Sequence, residues 1–88
     1  MADFLLQSVF ALGGKIVLMG ELKTGEIKTQ MTSTIGDNKC QILDIEALGK
    51  HLSSIKLEEN KPIVIGLTVS NLSPAEANKH LNSIIKFC

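Results

Sequence analysis

The stretch Lys15-Ile16-Val17-Leu18-Met19-Gly20-Glu21-Leu22, followed by Lys23-Thr24-Gly25-Glu26 and then by Ile27-Lys28-Thr29-Gln30-Met31-Thr32-Ser33-Thr34-Ile35, decides the fold class. In its second half Ile27, Thr29, Met31, Ser33 and Ile35 alternate with Lys28, Gln30, Thr32 and Thr34. A period of two is what one dry and one wet face impose on a strand. In its first half Ile16, Leu18, Gly20 and Leu22 share one side, and Val17, Met19 and Glu21 the other. Between the halves, Lys23-Thr24-Gly25-Glu26 is expected to close a hairpin, with Gly25 supplying positive φ.

Working outward, residues 3–12 read as a first strand and Gly36-Asp37-Asn38-Lys39 as a second turn. Residues 40–48 resume a strand whose phase changes: Cys40 and Ile42 share one face, Leu43, Ile45 and Ala47 the other. A bulge near Leu43-Asp44, or burial on both faces, is required, and bulges let small sheets curl into barrels. Residues 49–61 form a polar connection anchored by Leu52, Ile55 and Leu57; Pro62 then opens a strand over 63–69 with Ile63, Ile65, Leu67 and Val69 inward. Ser73-Pro74-Ala75-Glu76 carries the marks of a helix start and predicts a short helix to about Leu81. Residues 83–87 fit a last strand or a continuation of that helix, and the strand is preferred. The expectation is a single all-β domain over residues 1–88: a small antiparallel barrel of about six strands with one short C-terminal helix.

Composition bounds the function. An 88-residue chain with 44% apolar residues is one ordered domain, small enough for packing against a partner to help it. Nine Lys, no Arg and nine acidic residues give zero net charge, which disfavours nucleic acid, as does the lack of Trp and Tyr. No apolar run approaches the roughly 18 residues that cross a bilayer. Asp3, with no basic residue before the first apolar stretch, does not read as a signal peptide, so a cytoplasmic protein with Cys40 and Cys88 as free thiols is expected.

The chain resembles the β-barrel second domain of translational GTPases such as elongation factor Tu. The likeness runs through Phe4-Leu5-Leu6, Val9-Phe10, Gly14-Lys15 and the stretch from Gly20 to Lys28. It continues through Ile45-Glu46, Glu59-Asn60, the strand from Ile63 and the turn after Ser73. By this resemblance the family's aminoacyl pocket falls on Phe10, Glu46 and Asn60, while its acidic pair falls on Gln7 and Ser8 and a pocket Thr on Met19. The pocket is thus partly erased. Residues 13–16 lack the GxxxxGK[ST] pattern that cradles phosphate, and the nucleotide-hydrolysing domain of the family is missing, so no GTPase is expected. Beside the resemblance, ordinary core is the simpler role for Phe10, one of three Phe in a small barrel; Glu46 reads as a solvated strand residue and Asn60 as a turn former.

Cys40, His51, His80 and Cys88 are chemically fit for zinc but lack close ligand pairs, and Cys40 with His51 is a poor nucleophile and base because Cys40 lies in a strand. Glu58-Glu59 reads as a solvated edge. No catalytic residue, cofactor or metal is assigned. The expected function is non-catalytic interaction with a protein partner or a second copy; weak RNA or ribosome binding is the alternative, and a thiol or metal enzyme a remote one. Val17 and Met19 interrupt the charged side of their strand. They form either an outer contact patch or packing beneath residues 49–61 or the C-terminal segment.

Overall fold

The computed structural model describes residues 1–57 and 62–88. Among these described residues eight strands and one short helix follow in order: β1 (Ala2–Leu12), β2 (Lys15–Lys28), β3 (Thr32–Ile35), β4 (Asn38–Ala47), β5 (Lys50–Leu52), β6 (Ser54–Lys56), β7 (Ile63–Val69), α1 (Pro74–Asn78) and β8 (Ile84–Phe87). The main path is β3-β4-β7-β2-β1-β8, with β5 added to β4 and β6 to the far end of β2. Every pairing is antiparallel. Across the two ends of the path Thr32 and Cys88 exchange backbone hydrogen bonds of 2.9 Å, so the sheet curls into a nearly closed barrel.

Turn chemistry accounts for the connections. Gly13 and Gly14 sit at φ 54° and 81° between the paired Leu12 and Lys15, the two positive values a type I′ hairpin demands. Gly36, at φ 63°, takes the first central place of the turn joining β3 to β4.

The expected hairpin at residues 23–26 does not form. β2 runs unbroken for 14 residues, and Gly25 (φ 84°) lies opposite Ala2, where a Cβ would strike the carbonyl oxygen of Met1. The glycine serves a close backbone approach: beyond it β2 leaves β1 and pairs Glu26, Ile27 and Lys28 with β6. The chain reverses instead at Thr29-Gln30-Met31, where Gln30 adopts φ 77° and its N–H donates to Ile42 O at 2.8 Å. The polar connection over 49–61 also holds structure, β5 and β6, although Leu52, Ile55 and Leu57 pack against the core as its anchors.

The phase change in β4 is a bulge. Its register against β7 slips between Ile42 and Asp44, ejecting Leu43 to 51% exposure and leaving Cys40, Ile42, Ile45 and Ala47 all buried. α1 ends at Asn78, short of Leu81; Ser73 Oγ caps it by accepting the Glu76 N–H at 3.1 Å. The last segment is the strand β8.

Ile16, Leu18 and Leu22 of β2 join Phe4, Leu6, Ile27, Ile42, Ile45, Ile65, Leu67 and Phe87 inside the barrel, with no buried polar residue among those described. Phe4 and Phe87 meet edge to face at 6.3 Å. Phe10, expected in that core, is 51% exposed: the register of β1 shifts at Gln7, which exchanges the two faces of the strand, so that beyond it Val9 packs against the core and Phe10 turns outward. Cys40 is buried and Cys88 exposed, both as free thiols. Among the described residues no helix is long and apolar enough to cross a membrane.

Candidate functional site

Two rows of residues crossing the outer face of the sheet define the site. Phe10 of β1 pairs with Val17 of β2, Val17 with Thr68 of β7, and Thr68 with Asp44 of β4. In the neighbouring row Ser8 pairs with Met19, Met19 with Gly66, Gly66 with Glu46, and Glu46 with His51 of β5. Since alternate residues of a strand share a face, inward packing of Ile16 and Leu18 forces Val17 and Met19 outward. With Leu12 and Lys15 these residues, Ser8 excepted, line a concavity of about 440 Å³. That volume lies within the ~300–1,000 Å³ common for ligand sites.

Its floor is low because β7 contributes little side chain. A Cβ at Gly66 would approach the sulfur of Met19 to 2.8 Å, so glycine is what lets Met19 lie across β7. The wall on the β1 and β2 side is apolar, built from Phe10, Leu12, Val17 and Met19, whereas the β4 and β5 side is acidic. There His51 Nδ1 stands 2.6 Å from Asp44 Oδ2, and Nε2 stands 3.7 Å from Glu46 Oε2. The hydrogen bond to Asp44 and the Asp44 charge raise the His51 pKa above its ordinary value against the opposing effect of burial, with Glu46 adding least.

The structure thus gathers Val17, Met19, Phe10 and Glu46 around one hollow. Asn60 and the Glu58-Glu59 pair lie outside the described residues. Ser8 faces Met19 across the β1–β2 ladder, and Gln7, at the bulge, donates its side-chain amide to Glu21 at 3.2 Å. That bond and, above all, Lys23 hold the Glu21 carboxyl below its usual range.

Cys40, His51, His80 and Cys88 do not assemble. His51 is bound to Asp44, His80 Nε2 lies 3.3 Å from Glu76, and Cys40 Sγ points at the carbonyl oxygens of Asn38 and Asn71. Burial pushes the Cys40 thiol pKa up, the reverse of what a nucleophile needs. Among the described residues no group of His, Cys, Asp and Glu is arranged to hold a metal ion.

The sequence reading did not place Asp44, His51, Leu12, Lys15, Gly66 and Thr68 in this site, and weighed His51 only as a zinc ligand or as a base to Cys40. Their signal was the strand register: β4 against β7 sets Asp44 beside Thr68 and Glu46 beside Gly66, and placing His51 requires knowing that β4 turns back on itself at Leu48-Gly49. No protein-family model and no curated protein matches the chain.

Proposed function

We propose that the chain is a non-catalytic interaction module that docks a protein through the concavity between β1 and β4. The supporting observation is that Phe10 and Leu12 are 51% and 64% exposed on a barrel whose core is filled without them. Apolar groups gathered on an outer face mark contact sites more often than isolated ones do. The lining residues include no Ser or Cys that His51 could activate, which is why binding is preferred to catalysis.

The test is a comparison of native protein and Met19→Asp as baits in the cell of origin. Met19 is half-buried and faces outward, so the variant should stay folded with a loss below about 2 kcal/mol. Its specific partners should disappear. A folded variant that retains all of them would reject the docking surface.

Weak RNA or ribosome binding is the second reading. What supports it is that Phe10, Met19 and Glu46, which fall on the family pocket by resemblance to the translation-factor barrel, line one hollow. Zero net charge weighs against it. Sub-micromolar RNA binding at physiological salt would promote this reading above the first.

A further inference from the structure

We propose that the occupant of the concavity is an extended segment of a protein partner presenting an apolar side chain and, two residues on, a lysine or arginine. The apolar group lies against Phe10, Val17 and Met19, and the cation reaches Asp44 and Glu46. This inference rests on the docking surface proposed above and adds the chemistry of what fills it.

The concavity is polarised along one axis. Its apolar wall stands on β1 and β2, its carboxylates on β4, and β7 with Gly66 and Thr68 separates them. Strands in a sheet are about 4.8 Å apart, so β2 and β4 are separated by about 10 Å. In an extended chain, residues two apart point the same way about 6.5 Å apart, and the flexible stem of Lys or Arg spans the remainder over apolar surface. That stem runs over the Met19 side chain, which covers Gly66.

Charge fixes the direction. Among the lining residues β1 and β7 contribute no ionisable side chain, β2 contributes Lys15, β4 contributes Asp44 and Glu46, and β5 contributes His51. Lys15 follows the hairpin at the apolar end and repels a cation there; Asp44 and Glu46 attract it at the other. An RNA phosphate meets the reverse of what it needs at the carboxylates.

His51 makes the preference depend on pH. Protonated, it offsets one of the two carboxylate charges; neutral, it leaves both available to the cation. Because its pKa is raised by those same carboxylates, affinity for the cation should climb as pH rises through that raised value.

The test titrates isotope-labelled protein with two capped tetrapeptides, one with phenylalanine and lysine separated by a single serine, the other with glutamate in place of lysine. The lysine peptide should move the amide resonances of Val17, Met19, Glu46 and Gly66, more strongly at low salt and at pH 8 than at pH 6. Glu46→Lys, at an exposed position, should keep the fold, weaken the lysine peptide roughly tenfold and improve the glutamate peptide.

Equal binding of both peptides to native protein, movement of the same resonances by oligouridylate, or no movement at millimolar lysine peptide would each overturn the occupant. The docking surface fails separately. If Met19→Asp loses cellular partners while Glu46→Lys keeps them, the surface stands and the basic occupant falls.

Discussion

A Cβ placed on Gly20 would collide with the carbonyl oxygen of Leu5 and come within 3.0 Å of the Phe4 ring, so the buried face of β2 accepts only hydrogen there. Backbone cannot yield as a flexible side-chain tip would, and Gly20→Ala should lower stability by about 3 kcal/mol, read as a shift in the urea midpoint at constant slope. The two thiols separate by the same kind of local reasoning. Burial raises the Cys40 pKa and keeps reagent away, whereas Cys88 is exposed. Native protein should therefore take up one equivalent of iodoacetamide at Cys88, and a second only in denaturant. At this scale the sequence was readable where one face must be dry, as for Leu18 and Leu22. It misled at Phe10, whose composition-based place in the core depended on a bulge at Gln7 that no residue pattern announces.

Turns decide which elements exist. The reversal joining β4 to β5 uses Leu48 at φ 55° and Gly49 at φ 73°, so an 81% exposed leucine is held in the left-handed region. That conformation costs a residue with a branched side chain about 1 kcal/mol, whereas asparagine tolerates it. Leu48→Asn should raise the unfolding temperature by ~4–8 °C, the shift about 1 kcal/mol produces in a domain of this size. The same leucine explains why β5 was illegible: two-residue hairpins advertise themselves by Asn-Gly or Gly-Gly, and Leu-Gly does neither. Three-residue strands are also too short to show a period. β2 was misread for a different reason, since a glycine with positive φ serves a tight turn and a close strand crossing equally well, and only the partner Ala2 distinguishes them. By contrast, the bulge at Leu43 and the cap at Ser73 were legible because each leaves a local mark, a slipped alternation in one case and, in the other, a helix start whose free N–H groups need an acceptor. Val17 and Met19 followed from alternation alone, but setting Asp44 and Glu46 across from them needed the β4–β7 register, and His51 the β4–β5 register.

The barrel as a whole closes through one weak seam. Continuing the ladder from Thr32 and Cys88 would pair Thr34 with Lys86, yet among the described residues no backbone bond joins them, and a hollow of about 250 Å³ lies there instead. β8 is therefore held from one side by β1 and from beneath by its inward side chains, Ile85 and Phe87. Hydrogen bonds along a single ladder leave a strand free to fray, so the anchorage of β8 must reside in those two residues, above all in the Phe87 ring against Phe4. Removing a buried phenylalanine ring costs about 3–5 kcal/mol, set against a total of ~5–15 kcal/mol for a typical domain. Phe87→Ala should accordingly remove much of the stability in chemical denaturation and release the Ile85 and Cys88 amides to fast exchange. Ile84→Ala, on the exposed side of the same strand, should change stability by less than about 1 kcal/mol. Were the two substitutions to prove equally mild, the C-terminal strand would not be part of the cooperative barrel, and closure through Thr32 would have to be abandoned as the account of how this sheet completes itself.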